Sequence, residues 1–249
     1  MKKYFVLLIF TIFPMTFAYA DNIIPITFSS GMEKIQFDGK WSNELEWKPT
    51  SLYELYTNNG TIYLRTAHQD NFIYMMIDVL PDTDPLLGKD SATVCFDTQN
   101  DKTEFPNADD YCFVSNLGKT NGIILQGNSS KYSEIKNTFG FIGVAAISDN
   151  NDRYSKIPHV SYEYKIPIEL VGRSNNYGYF FSINDEENNR YYWPSNSSDN
   201  LIYYPNKWGH LVSPDNSLPE FEIVSMVLIF GVTVTLVLAK NKSIVIHYK

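Results

Sequence analysis

Histidine, tryptophan and cysteine are scarce in this 249-residue chain, which has four, four and two of them. It has no Gly-x-Ser-x-Gly elbow, His-Glu-x-x-His pair or phosphate-binding glycine loop. The histidines, His68, His159, His210 and His247, are scattered along it. Adjacent acids such as Asp185, Glu186 and Glu187 alternate direction in a loop and do not make a facing glycosidase pair. The residues therefore point away from an enzyme. Helical amphipathic spacing is also missing, since no stretch keeps it over ten or more residues. Positive charge is thin between the two ends. All 28 acidic residues fall within 21–222, against 15 of the 20 basic ones, a balance of −13. That surface argues against nucleic acid and anionic polymers as partners.

The two cysteines, Cys95 and Cys112, sit in strand-like runs (SATVCFD and YCFVSN) with a polar loop between them. In an oxidising exterior a disulfide between them contributes roughly 3 kcal/mol through loop closure. Two buried thiols are the other reading. A metal pair lacks neighbouring ligand spacing.

Both ends are apolar. Lys2 and Lys3, an apolar run from Tyr4 to Phe13 and the small-x-small site Ala18-Tyr19-Ala20 read as a secretory signal cleaved before Asp21. The alternative is an uncleaved N-terminal anchor. From Ile223 to Ala239 the chain carries no charge, and Lys240 and Lys242 follow. At about 1.5 Å per residue this run covers about 26 Å, enough to cross a hydrocarbon core. Glu220 and Glu222 before it and lysines after it put the N-terminal side outside. A buried core segment is the competing reading. The expected layout is a signal peptide at 1–20, a β-domain at 21–214 and a tether with a sorting motif at 215–222. A transmembrane helix at 223–239 and a cytoplasmic tail at 240–249 complete it. The localisation expected is a cell membrane, single-pass, with the β-domain extracellular.

The middle of the chain has the punctuation of an all-β protein, in which short Tyr, Phe, Ile and Val runs alternate with Asn, Asp, Gly and Ser clusters. Predicted strands are Thr61–Ala67, Phe72–Leu80, Ala92–Asp97, Tyr111–Ser115, Gly122–Leu125, Phe139–Ile147, Val160–Pro167, Tyr177–Asn184 and His210–Ser213. Short helical turns are expected around Glu44–Trp47 and Ile168–Val171. Strands at this spacing imply one antiparallel β-sandwich, with no internal repeat or dividing linker.

The motifs come in a distinctive order. Ile35-Gln36-Phe37-Asp38-Gly39-Lys40 and Glu46-Trp47 open the domain, followed by His68–Val79 and by Lys89-Asp90-Ser91 leading to Cys95-Phe96-Asp97. Tyr162-Glu163-Tyr164-Lys165-Ile166-Pro167, Tyr191-Tyr192-Trp193-Pro194 and Lys207-Trp208-Gly209-His210-Leu211 complete it. This succession, over residues 30–213, resembles the carbohydrate-binding module family 9-like domain among the wider DOMON-like sandwiches. The resemblance implies a non-catalytic module that grips a glycan, or a cell-envelope polymer, between two aromatic side chains at one end of the sandwich. Some DOMON-like relatives bind haem, for which Met75, Met76 and a histidine would be the local equivalents. Leu218-Pro219-Glu220-Phe221 is similar to the archaeal Pro-Glu-Phe sorting signal, implying an archaeosortase-type processing enzyme as partner. Glu222 stands where glycine is common, and nine residues follow the first lysine. Retention as a plain membrane helix is the alternative.

Among the tryptophans, Trp47 and Trp208 lie inside motifs and are expected in the core. Trp41 and Trp193 lie in polar, loop-like sequence and are the better candidates for exposure, with burial, the usual state of large aromatics, as the competing reading. The stretch Asn188-Asn189-Arg190-Tyr191-Tyr192-Trp193 offers amides, a guanidinium and aromatic rings, the groups that hold a polyol. The candidate glycan ligands are Trp41, Arg190, Tyr192 and Trp193, and an ordinary edge strand is the alternative for the stretch. Asp82 with Asp84, and Asp97 with Asp101, offer oxygen ligands for calcium on loops. Asp109 and Asp110 would join the second set if the cysteine pair folds that loop back. Neither set has the EF-hand pattern, and solvated acidic loops are the other reading. Asn59, Asn128 and Asn196 head glycosylation sequons in turn-like sequence. A glycan-binding module, an envelope structural or adhesion component without a sugar site, and a haem domain are thus the three functions to separate.

Overall fold

A computed structural model describes residues 22–185, 189–194, 200–215 and 218. The signal segment, residues 219–221 of the sorting motif, the apolar span 223–239, the tail and Asn196 lie outside the described residues, while Leu218 of that motif is buried in the core. Among the described residues no helix is long and apolar enough to cross a membrane.

The strands are β1 (Ile23–Pro25), β2 (Thr27–Phe28), β3 (Ser51–Thr57), β4 (Gly60–Gln69), β5 (Phe72–Val79), β6 (Ser91–Asp97) and β7 (Asp110–Asn116). They continue as β8 (Ile123–Asn128), β9 (Lys131–Ile135), β10 (Ile142–Ile147), β11 (Val160–Pro167), β12 (Asn176–Asp185), β13 (Asn189–Trp193) and β14 (Gly209–Val212). One sheet runs β1-β14-β12-β6-β7-β8-β9, with β13 also beside β12, and the other runs β10-β11-β5-β4-β2, with β3 also beside β4.

All nine predicted strands form, and β11 keeps its predicted bounds. The expected purely antiparallel sandwich needs correcting. β1 runs parallel to β14 and β2 parallel to β4, so both sheets are mixed. No hairpin ties these N-terminal strands to their partners, so turn geometry does not dictate their direction. Burial of Ile24 and Ile26 fixes them instead. A one-turn helix, α1, forms at Ile168–Val171, as expected. Glu44–Trp47 is a series of turns and bends rather than a helical turn. Its conformation is set by Trp47 packing inward and by Glu46, which accepts the amides of Gln36 (2.8 Å) and Ser42 (2.9 Å).

Between the sheets lies an aromatic core in which alternate residues point inward, as the two-residue period of a strand requires. Ala92, Val94 and Phe96 of β6, side by side with Tyr177, Tyr179 and Phe181 of the neighbouring β12, face Tyr162, Tyr164 and Ile166 of β11. Each such side chain contributes roughly 1.5–3 kcal/mol by leaving water. Tyr164 donates its hydroxyl proton to the Ala92 carbonyl at 2.7 Å, which satisfies the polar end of a buried ring.

The outer face of the six-stranded sheet is covered by the segment before β3. Met32, Ile35, Trp41 and Trp47 pack there on Ala67, Tyr74 and Met76. Glu163, on the outer side of β11, fastens this cover by accepting Trp47 Nε1–H at 2.8 Å and the Gly39 amide at 2.7 Å. Ser161 donates to the Gly39 carbonyl at 2.7 Å. Gly39 has φ +87°, and a Cβ on it would sit 2.5 Å from the Ala145 carbonyl carbon. The opening Asp-Gly and Glu-Trp motifs thus meet the Tyr-Glu motif in space.

Candidate functional site

The eight-stranded sheet also has an outer face, and its register defines it row by row. Cys95 of β6 stands directly opposite Cys112 of β7, and the two are joined by a disulfide. Phe180, Leu201 and Trp208 pack over this pair. Trp208 donates Nε1–H to the Leu201 carbonyl at 2.9 Å, which pins the 200–208 segment across the sheet.

One step along the strands, Tyr192, Ser182, Thr93, Val114 and Ile123 form the next row. A further step gives Arg190, Asn184, Ser91 and Asn116. All of these are half-buried except the exposed Arg190. Arg190 Nε–H reaches Asn184 Oδ1 at 3.1 Å. Tyr192 lies nearly parallel to Phe180 (centroids 6.5 Å, 25°), which lies nearly parallel to Trp208 (5.9 Å, 20°). A line of rings therefore runs into a ledge of hydroxyls, amides and one guanidinium, a combination suited to a polyol.

Of the four candidate glycan ligands, the structure brings Arg190 and Tyr192 together on this ledge and places the two tryptophans elsewhere. Trp193 is 2 % exposed, so of its two readings the structure shows burial. Its neighbours along β13 explain this, because Tyr191 and Trp193 take the inward positions when Arg190 and Tyr192 face out. Trp193 stacks on Phe181 (6.3 Å, 6°) and donates Nε1–H to Tyr53 Oη at 2.9 Å. Its ring also fills the space beside Gly209, where a Cβ would lie 2.3 Å from Cη2. Trp41 is 1 % exposed, with the Arg65 guanidinium 5.6 Å from its ring centroid and Tyr154 against its edge. The polar residues flanking Trp41 cover the sheet; they do not form a free loop. Ser91, Thr93, Ser182 and Asn184 of the ledge were missed in the sequence, although their alternation with core residues along β6 and β12 carried the signal.

At the other end of the same outer face lies an acidic group. Asp97, Asp101 and Asp109 each bring one carboxylate oxygen within 4.8 Å of the others. Asp97 accepts the amides of Asp101 (3.2 Å) and Lys102 (3.0 Å), and Asp109 accepts that of Gln99 (3.3 Å). Next to Asp97 in the register is Asp110, whose buried Oδ1 has no partner and whose carboxyl burial pushes up to about 7. Oxygen donors of this kind suit calcium. Asp82 and Asp84 do not share an environment. Asp82 is buried, and burial, then Asp90 and Asp185, push it up to about 7; Asp84 is exposed. Beside the acidic group, an open cavity of about 450 Å³ is lined by Asn107, Gln126, Asn128, Ser129 and Ser133, among others. Asn128 and Asn59 are both exposed. Met75 points into the core between the sheets and Met76 into the cover, on opposite faces of β5.

No protein-family model and no curated protein matches the chain. Solved structures do match it. One is a family 9 carbohydrate-binding module from Caldicellulosiruptor kristjanssonii in complex with cellotriose, at 15 % identity and TM-score 0.50, covering 80 % of this chain and 99 % of that one. The same organism's family 9 module in complex with glucose aligns at 14 % identity and TM-score 0.50, over 81 % and 98 % of the two chains. At these identities the likeness is one of fold, and it is the β-sandwich of family 9 carbohydrate-binding modules that this chain shares.

Proposed function

We propose that the chain is a non-catalytic cell-surface module that binds carbohydrate on the outer face of its eight-stranded sheet. The observation that carries this reading is the ledge itself. Arg190, Asn184 and Ser91 lie beside Tyr192, Ser182 and Thr93 in one register, and the line of rings from Trp208 to Tyr192 leads into them. Hydroxyls and amides would hold sugar hydroxyls, and the Tyr192 ring would take an apolar sugar face. The solved neighbours hold cellotriose and glucose, which makes glucans the first ligands to try.

The family's grip between two aromatic side chains is not carried over to Trp41 or Trp193, which are buried. Burial of all four tryptophans favours a second reading, an envelope structural or adhesion component without a sugar site. The proposal also includes export by the N-terminal signal and retention at a cell membrane through 223–239. Processing at Leu218–Phe221 by an archaeosortase-type enzyme, a DOMON-like ancestry and a calcium ion at Asp97, Asp101 and Asp109 complete it.

Titration calorimetry and a glycan array on the purified protein decide between the two readings. The proposal expects binding of at least one β-glucan oligosaccharide, weakened tenfold or more by Arg190→Ala or Tyr192→Ala. An array without binders, or binders indifferent to both substitutions, rejects the ledge.

A further inference from the structure

The outer face of the six-stranded sheet holds a second constellation that the glycan reading does not use. Asp78, on the outer side of β5, meets His159 and Asp152 from the loop that precedes β11. His159 Nε2 lies 2.6 Å from Asp78 Oδ1 and 3.9 Å from Asp152 Oδ2. One donor atom from each of the three residues lies within 4.8 Å of the other two, and all three side chains are buried. We propose that Asp78, Asp152 and His159 form a binding site for a first-row divalent cation of the zinc type.

Three features of the site point to a cation. The first is a pair of orphaned acceptors. Asp78 Oδ2 and Asp152 Oδ2 are both buried, and neither has a hydrogen-bond partner. His159 pairs with the other oxygen of Asp78, and the two remaining buried oxygens, without a donor of their own, are costly to keep. Among the described residues no lysine or arginine pairs with either acid. The nearby cations are engaged elsewhere, since Arg65 donates to Tyr154 Oη (2.8 Å) and Lys156 to the carbonyls of Asn150 and Asp152.

The second feature is the orientation of the imidazole. His159 Nδ1 lies 2.7 Å from the Ile157 carbonyl, which can only accept, so Nδ1 carries a proton. With no ion bound, Nε2 donates a second proton to Asp78 Oδ1 at 2.6 Å, and an entering cation would displace that proton and take the Nε2 lone pair. A ring nitrogen fixed by a backbone carbonyl on its far side is the usual support of a metal-bound histidine. Ser148 Oγ adds a second contact to Nδ1 at 3.0 Å.

The third feature is fit. The three atoms lie within 4.8 Å of one another, and a tetrahedral ion at about 2.1 Å from each would draw them to about 3.4 Å, opening the 2.6 Å His159–Asp78 contact and closing the 3.9 Å one to Asp152. An imidazole with two carboxylates selects zinc and its first-row neighbours over calcium or magnesium, which prefer oxygen alone. Bound there, the ion would staple the 148–159 loop to β5. This site is distinct from the acidic group on the other sheet.

The test is metal analysis and titration of the purified full chain in detergent. After chelator treatment the chain is expected to bind one equivalent of Zn²⁺ here. Zinc at a hundredfold excess over its Kd should raise the melting temperature by about 5–10 °C. A treated chain that folds only once zinc is restored supports the site equally. Asp152→Asn should weaken zinc at least tenfold. Co²⁺ in place of zinc should give the wild-type chain a hyperfine-shifted exchangeable proton, the Nδ1–H of one bound imidazole. The proposal fails if the folded, treated chain takes up no zinc, or if uptake is indifferent to Asp152→Asn. A cobalt complex without the imidazole signal also overturns it, and that measurement stands even where the variant does not fold.

Discussion

Trp47 donates its indole proton to Glu163 across 116 residues of sequence, at 2.8 Å, and the Gly39 amide occupies the other oxygen of the same carboxyl at 2.7 Å. One buried side chain thereby holds two separate turns of the cover onto the sheet. Burial, countered in part by these two hydrogen bonds, pushes the Glu163 carboxyl up to about 8 from an ordinary value of 4.5. The folded chain therefore keeps a proton that the unfolded chain releases between those values. The stability that Glu163 contributes is full on the acid side, declines as pH rises from about 4.5, and is lost by about 8. Glu163→Gln should cost about 2 kcal/mol, because its amide NH₂ must face one of the two donors. It should also flatten part of that pH slope. Urea midpoints at pH 5, 6.5 and 8 for both proteins check this.

Gly39 gives a second prediction on the same contact. Gly39→Ala combines strain at a positive φ with a methyl placed 2.5 Å from backbone, and should cost at least about 2 kcal/mol. An alanine variant as stable as the wild type in chemical denaturation would contradict the docking of this turn.

Reduction of Cys95–Cys112 should cost roughly 3 kcal/mol, since the bridge closes a loop over a sequence separation of 17. The Leu201–Trp208 cover rests on this pair, so Trp208 fluorescence should shift before global unfolding. Denaturation with and without reductant, followed by fluorescence and circular dichroism together, tests both parts.

The ledge and the core beneath it make opposite predictions. Arg190→Ala and Tyr192→Ala should weaken glucan binding tenfold or more and leave the melting temperature within a few degrees. Trp193→Ala removes a buried ring packed on Phe181 and Tyr53, and should cost about 3–5 kcal/mol. If Trp193→Ala alone abolished binding in a fully stable protein, the ring would have to face ligand.

Calcium proposed at Asp97, Asp101 and Asp109 gives a separate expectation. Addition of Ca²⁺ should raise the melting temperature of the wild-type chain and not that of Asp101→Asn. Equal responses would move the ion elsewhere.

The sequence revealed most where a strand is both apolar and central. Phe72–Val79 and Val160–Pro167 announce themselves because both faces are buried, one by the core and one by the cover. Lys131–Ile135 and Ser51–Thr57 escaped notice because many of their side chains meet water, and β1 and β2 because two or three residues carry no period. The cysteine runs lay where expected, and Cys95 and Cys112 are direct cross-strand neighbours. Polar neighbours make Trp41 and Trp193 candidates for exposure without deciding it, since composition reports how wet a stretch is and not which side of it faces in. The Asp78–His159 contact joins residues 81 apart and follows no local motif. Only the packing of the 148–159 loop onto β5 reveals it.

The parallel pairing of β14 has a mechanical consequence. It is the last described strand, held on one side by β1 and on the other by β12, with partners at His210, Leu211 and Val212 on both. Tension applied to the chain beyond Val212 would pull β14 along its own axis. Its hydrogen bonds to both neighbours would then be loaded in shear, breaking together rather than unzipping one by one. A ligand held on the neighbouring β12 and β13 would be coupled to the chain's exit through this one strand. Tension between such a ligand and the chain beyond Val212 would thus meet the shear strength of β14 rather than its peel strength.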